Sequence, residues 1–370
     1  KEEFDFWSRL KDEETIVIPK GCTRIPKFAF ENFTKLRHIE IPDGVTSIEN
    51  SAFRECVNLT EVYIPDGVIS IENYAFEGCS SLKSIHIPKG LTNIKYRTFY
   101  KCSSLVSVDI PDSVQNIESE AFAYCEELCD VRLSKELKAI GVKAFYYCQK
   151  LKGLSLPDGL EQISDNAFTY CSALRSLYIP ATVQKIPGNT STPFSNCYQL
   201  VLYCEPEADQ EGWNTQWSNS LRTNYGYTRQ EYEFWDSMRS AEKAEIPETY
   251  TRIPNGAFYK NENLKSVTIP DRVTAIGNHA FSGCININEI EIPDSVTSIG
   301  RNAFSTCFNL KYIYIPGSVE HIQADVSGEA IFSDCSIDFV MYCEDEADQS
   351  GWGKYWNHTS YPSDYNQVNY

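Results

Sequence analysis

The sequence predicts a solenoid in which short parallel strands stack rung upon rung, joined by tight turns. Three observations carry that expectation. Cys56, Cys79, Cys102, Cys125, Cys148 and Cys171 follow one another at intervals of 23 residues, as do Cys284 and Cys307, and each has a phenylalanine three positions earlier. Apolar residues alternate ahead of a proline in nearly every copy, as in Ile85, Ile87 and Pro88. All six tryptophans lie outside the regular copies. A fixed period of this size marks a repeat architecture, because no single unit buries enough apolar face to fold alone.

The elements follow in chain order. Residues 2–12, with Trp7, read as a short helix that seals the open end of the stack, where bare core and unpaired strand edges would otherwise invite aggregation. A typical unit then runs Ala52-Phe53, Cys56, Leu59, Val62, Ile64-Pro65, Val68, Ile71. Alternation at Ile85 and Ile87, with His86 turned outward, is the period of a strand. Pro88 ends it, since proline donates nothing to a ladder. Asp43-Gly44, Asp66-Gly67 and Asp158-Gly159 follow such prolines and read as turns. Val68 and Ile71 form a second short extended piece. The Ala-Phe-x-x-Cys segment is too short for an α-helix and is read as one helical or 3₁₀ turn that lays Phe and Cys inward.

The phase extends from Phe30 to Phe194 and Cys197 in one block, and from Phe258 to Phe332 and Cys335 in another. Eight and four rungs are therefore expected, and these twelve positions hold 12 of the 19 phenylalanines. The blocks are related as wholes. At one constant offset, Phe6-Trp7 and Ile18-Pro19 recur as Phe234-Trp235 and Ile246-Pro247. At a second, shorter offset, Tyr203-Cys204-Glu205 and Gly212-Trp213 recur as Tyr342-Cys343-Glu344 and Gly351-Trp352. Each block thus has a start, a stack and an end, and the chain is expected to divide into two capped arrays, residues 1–222 and 223–370. Residues 230–241 read as the second capping helix. Pro206-Glu207-Ala208-Asp209 opens a further cap helix, with its acidic residues near the positive end. The segment around 218–230 is a polar linker.

The repeated pattern of Ala52-Phe53, Cys56, Leu59, Val62, Ile64-Pro65, Val68 and Ile71 resembles the leucine-rich repeats of the BspA type, also called the Treponema pallidum type. The resemblance covers most of residues 15–200 and 246–340. It departs at Leu133-Ser134, which replaces Ile-Pro, and at Thr98, which replaces alanine. It implies a leucine-rich repeat solenoid and a secreted or surface-bound protein associated with adhesion to host matrix proteins or other cells.

Composition narrows the partners. The chain carries 33 basic and 51 acidic residues, a net charge of −18, which repels phosphate backbones and disfavours nucleic acid. No stretch approaches 18 apolar residues, so no membrane insertion is expected. The chain begins at Lys1 with no signal peptide, and reads as a trimmed product.

Chemistry is not signalled. His38, His86, His279, His321 and His358 fit no metal spacing, no C-x-x-C pair occurs, and phosphate-binding and nucleophile-elbow motifs are absent. No enzyme activity, cofactor or metal is expected. The cysteine ladder admits a metal array, a chain of disulfides or a column of buried thiols. The thiols are preferred, because in-register side chains point parallel and cysteine packs as a small hydrophobe. Cys22, Cys129, Cys204 and Cys343 are off the ladder, with Cys129 the expected exposed one. Glu205–Asp209 and Glu344–Asp348 read as solvated cap helices or, less favoured, as calcium ligands. Asn32, Asn58, Asn189 and Asn357 head glycosylation tripeptides.

The outward position of each strand is, by unit, Glu40, Tyr63, His86, Asp109, Arg132, Ser155 and Tyr178, then Thr268, Glu291 and Tyr314. Two residues earlier, Tyr312 is its counterpart in the last of these. Core positions barely change between units, whereas these vary in charge and size, so packing leaves them free. The partner-binding face is placed on Tyr63, His86, Asp109, Arg132, Tyr178, Glu291, Tyr312 and Tyr314, since tyrosine brings large area and a polar tip. A plain β-surface enriched in tyrosine fits the same residues. The expected function is a non-enzymatic extracellular or cell-surface module that binds a protein or glycan. The alternative is a structural spacer that presents another domain and has no ligand of its own.

Overall fold

The computed structural model describes residues 7, 9–186, 192–207, 213, 222–323, 331–336, 338–343 and 368–369. The chain is a parallel solenoid with little helix. It divides into two compact units, Lys1–Leu200 with Cys204–Asn219, and Val201–Tyr203 with Ser220–Tyr370.

In the first unit the sequence period sets the register of the rungs. Thr15–Val17 pairs with His38–Glu40, that with Glu61–Tyr63, and that with Ser84–Ile85, so that Ile16, Ile39, Val62 and Ile85 share one inward row. Ser107–Asp109 and Asp130–Arg132 continue in the same register. Beyond each strand the proline opens a turn, as where the Val68 N–H donates to the Pro65 carbonyl at 3.0 Å. A two-residue strand then builds a second ladder, for example Asn93–Ile94, Asn116–Ile117, Ala139–Ile140 and Gln162–Ile163.

The third side differs from the expected helical turn. It keeps i→i+3 bonds but not a continuous right-handed backbone. N–H groups of Ala52, Arg54 and Cys56 close turns onto Glu49, Ser51 and Phe53, while those of Ser51, Phe53 and Glu55 cross to the carbonyls of Asn73, Ala75 and Glu77 in the next rung at 2.7–3.1 Å. Ser51 and Glu55 flank the segment in the left-handed region, at φ 56° and 58°. A 3₁₀ turn would aim every N–H along its own chain and leave adjacent rungs unbonded. The alternation leaves neither set of donors orphaned.

Inside, phenylalanine rings from Phe30 to Phe194 form a column, with centroids 5.0–5.7 Å apart and ring planes within 13° of parallel. The cysteine explains itself beside it. The Cys56 thiol donates to the Phe30 carbonyl at 3.0 Å, and Cys79, Cys102, Cys125, Cys148 and Cys171 repeat the bond, each to the phenylalanine of the preceding rung. A small, weakly polar side chain fills the row and satisfies a buried acceptor. Trp7 is buried and meets Phe30 edge-on at 5.1 Å, closing the column. The rest of the expected helix over 2–12 lies partly outside the described residues. At the other end the Trp213 indole donates to the Val183 carbonyl at 2.8 Å.

The second unit repeats the plan. Arg229–Met238 is an α-helix opened by a capping box, Thr228 with Glu231. It buries Trp235 edge-on to Phe258, at 6.1 Å. Phe258, Phe281, Phe304 and Phe332 stack at 5.0–5.6 Å. Lys243–Glu245 pairs with Ser266–Thr268, and Glu289–Glu291 with Tyr312–Ile315. Val340–Cys343 follows out of period: Tyr312 pairs with Val340, not with Cys335, which the regular spacing would set opposite it. Trp217, Trp352, Trp356, the cap segments beyond Glu207 and Cys343, and the sequons at Asn189 and Asn357 lie outside the described residues.

Candidate functional site

The strands His38–Glu40, Glu61–Tyr63, Ser107–Asp109, Asp130–Arg132 and Glu289–Glu291 each bury the middle residue and expose its neighbours. Successive rungs therefore present a row of outward side chains one strand spacing, about 4.8 Å, apart.

In the first unit four predicted residues come together in two pairs. Tyr63 is 63% exposed and its ring stacks on His86 at 5.2 Å, with planes 11° apart. His86 Nε2 is hydrogen-bonded to Asp66 Oδ1 at 2.8 Å. That bond holds the Asp66 carboxyl below its ordinary pKa. Arg132 forms ion pairs with Asp109, its register partner, and with Asp112 at 3.0 Å. The Lys135 backbone N–H, 3.1 Å from Asp112 Oδ1, is the first cause of that carboxyl's lowered pKa, and Arg132 adds to it. Exposed pairs of this kind are screened by solvent and add little to stability. Their consequence is orientation: the charged tips are tied to each other, not to the core.

Tyr178 corrects the expectation of an outward side chain. It is 3% exposed, and all four residues of Ser176–Ile179 are buried. This strand leads into the end of the array, where the Glu205 N–H donates to the Ile179 carbonyl and the Glu205 carboxylate accepts from the Ala181 N–H. Both faces of the strand are covered there, so the repeat phase no longer predicts exposure.

In the second unit Glu291 and Tyr314 are register partners, and both are exposed. The Tyr312 hydroxyl donates to Glu289 Oε2 at 2.9 Å, which raises the phenol's pKa. Tyr342 lies in register with Tyr314 and is 44% exposed. It extends this tyrosine row, and sequence reasoning missed it because the longer offset before this strand breaks the period.

None of the fourteen cysteines is joined in a disulfide. Cys22 and Cys129 are half-buried, while Cys204 and Cys343 join the ladder cysteines in the interior. Burial pushes the Cys56, Cys197 and Cys307 thiols up to about 12. A thiol so protonated is a poor nucleophile and a poor metal ligand at neutral pH. Among the described residues no group of three or more His, Cys, Asp or Glu side chains could hold a metal ion. No helix among them is long and apolar enough to cross a membrane.

The family model of the BspA type leucine rich repeat region matches residues 6–129, 71–201 and 228–348. Among solved structures, a leucine-rich repeat protein from Bacteroides ovatus is 24% identical, with 96% of this chain and 83% of that one covered and a TM-score of 0.47. A leucine rich cell surface protein from Faecalibacterium prausnitzii is also 24% identical, covering 85% and 88%, with a TM-score of 0.42. The T. pallidum leucine rich repeat protein is 30% identical over 51% of this chain and 78% of its own, with a TM-score of 0.39. No curated protein matches the chain. With rungs at a constant period, a phenylalanine column and a family model spanning both units, the chain belongs to the BspA-type leucine-rich repeat family.

Proposed function

We propose that the chain is a non-enzymatic extracellular or cell-surface module that binds a protein or glycan through the outward face of its strand ladders. The observation that carries this reading is the pre-oriented set on the first unit: Tyr63 stacked on His86, His86 fixed by Asp66, and Arg132 held by Asp109 and Asp112. Aromatic and arginine side chains held in one geometry lose little entropy on binding and are favoured anchors. Glu291, Tyr312, Tyr314 and Tyr342 form the corresponding site of the second unit. We read residues 1–222 and 223–370 as separately capped arrays, so one chain offers two sites and avidity where a target carries both epitopes.

The test is surface plasmon resonance of the chain over a panel of extracellular matrix proteins and glycans, comparing the parent with Tyr63→Ala combined with Arg132→Ala. Saturable binding to at least one member, weakened tenfold or more at an unchanged melting temperature, supports the reading. Absence of binding across the panel rejects it in favour of a spacer. Equal binding by the variant moves the site away from this face.

A further inference from the structure

A second surface lies on the turn segments, away from the strand ladders. Tyr100 meets Tyr124 at 5.5 Å, Tyr124 meets Tyr146 at 5.4 Å, and Tyr146 meets Tyr170 at 5.7 Å, with successive ring planes 66–85° apart. Tyr147 joins Tyr170 at 5.1 Å. Tyr100, Tyr124, Tyr146 and Tyr147 are half-buried, and Tyr170 is 36% exposed.

The repeat position shows that the fold does not call for these rings. Tyr124, Tyr147 and Tyr170 each follow the core phenylalanine by two residues and sit in the left-handed region, at φ 62°, 65° and 65°. That conformation disfavours a bulky side chain and suits glycine or asparagine. Other rungs place Asn32, Gly78, Asn196 and Gly283 at this position, or Glu55, Lys101, Lys260 and Thr306. The fold therefore needs no aromatic there, yet three successive rungs carry one. The inter-rung bonds hold this backbone whatever the side chain, so the three tyrosines are choices of the sequence rather than demands of the fold.

Charge and spacing say what the seam fits. Lys101 lies over the Tyr100 ring at 5.4 Å and Lys143 over the Tyr146 ring at 5.5 Å. Among the described residues neither has a carboxylate within ion-pair distance, whereas Arg54 and Arg97 on nearby turns are both paired to glutamates. In a chain of net charge −18 these are two unneutralised cations beside an aromatic row. Tyr100 and Tyr146 hold the same repeat position two rungs apart, as do Tyr124 and Tyr170. Two rungs span about 9.6 Å, and a polyproline II helix repeats every three residues, about 9.3 Å. The rings of Tyr100, Tyr124, Tyr146 and Tyr170 meet edge to face in turn, and Tyr147 is tilted 32–52° to its neighbours, so the row is not one flat platform for stacked sugars or bases. Proline-rich helices are recognised through rows of aromatic side chains.

We propose that the tyrosine seam from Tyr100 to Tyr170 docks an extended, proline-rich segment of a partner protein whose acidic side chains meet Lys101 and Lys143. The seam is separate from the strand-face site, and the two stand or fall independently.

The experiment is fluorescence anisotropy on the full chain with three labelled peptides. One repeats proline, proline, glutamate; one has lysine for glutamate; one has glycine for proline. Hyaluronan serves as an anionic glycan competitor. Tyr124→Asn with Tyr170→Asn is the informative variant, because asparagine suits the left-handed backbone and keeps the fold. Saturable binding of the acidic proline peptide, at least tenfold weaker for the lysine and glycine peptides and for the asparagine variant, supports the proposal. So does a several-fold loss and a flatter salt dependence in Lys101→Gln with Lys143→Gln. The proposal is overturned by no saturable binding at millimolar peptide, by equal binding of the lysine peptide, by an asparagine variant that binds as the parent does, or by full displacement with hyaluronan. It is equally overturned if Tyr63→Ala with Arg132→Ala abolishes peptide binding.

Discussion

Phe99→Ala tests whether the solenoid is held by the ring column or by its backbone ladders. Phe99 is 1% exposed and stacks on Phe76 at 5.6 Å and on Phe122 at 5.2 Å. Removing a fully buried phenylalanine costs about 3–5 kcal/mol, partly as lost transfer energy and partly as the cavity left behind. Each stacked pair contributes about 0.5–1.5 kcal/mol beyond area, so roughly 1–3 kcal/mol of the loss resides in the two neighbours. A double-mutant cycle separates these terms. Phe99→Ala with Phe122→Ala should show a coupling of about 1 kcal/mol, since the two rings touch. Phe76→Ala with Phe122→Ala should be nearly additive, because two rungs separate them and rungs interact chiefly with their neighbours. Urea denaturation followed by far-ultraviolet circular dichroism measures all three. A loss below about 1 kcal/mol for Phe99→Ala, or equal coupling in both cycles, would refute the column as the source of stability.

The other predictions concern thiols and caps. Under native conditions at neutral pH a maleimide reagent should label Cys22 and Cys129 and leave the ladder thiols silent; rapid labelling of most of the 14 contradicts the burial described. Stability should also fall in alkali. Burial lifts Cys56 from an ordinary 9.0 to about 12, so the folded chain holds the proton more tightly than the unfolded one. That contribution is whole below about pH 9 and is lost as pH rises towards about 12; a urea midpoint unchanged between about pH 7.5 and 10.5 goes against it. Trp235→Ala, which uncovers the start of the second ring column, should cost about 3–5 kcal/mol in the same denaturation assay, and a loss under about 1 kcal/mol would remove Trp235 from its capping role.

What could be read in advance was whatever repeats in phase. The constant spacing alone sets the register of Ile16, Ile39, Val62 and Ile85, since equal spacing brings equal side chains above one another. The Phe and Cys rows follow for the same reason. The left-handed residues do not, because Ser51, Glu55, Arg97 and Tyr124 carry none of the glycine or asparagine signal that usually marks such backbone. Bonds between rungs impose the conformation there, and a local preference cannot report a non-local cause. Tyr178 fails differently: its phase says outward, but its exposure depends on chain beyond the last regular unit. The tyrosine seam was invisible because its members hold several repeat positions. Tyr146 follows its phenylalanine by one residue and Tyr124 by two, and only folding brings them side by side.

The alternation of backbone donors connects stability to recognition. In each turn segment one N–H closes its own rung and the next crosses to the neighbour, so the main chain and the buried Phe and Cys rows satisfy the stack without help from outward side chains. A substitution at an outward position then leaves the inter-rung bonds in place, and any residue tolerated by the local backbone can be installed. Two surfaces with different chemistry follow from one scaffold: charged and aromatic groups tied in pairs on the strands, and tyrosines set against backbone preference on the turns. At the left-handed position the inter-rung bonds hold the backbone for Glu55, Lys101, Lys260 and Thr306 as well as for Tyr124, Tyr147 and Tyr170, so the scaffold leaves even that position open to whatever a partner calls for.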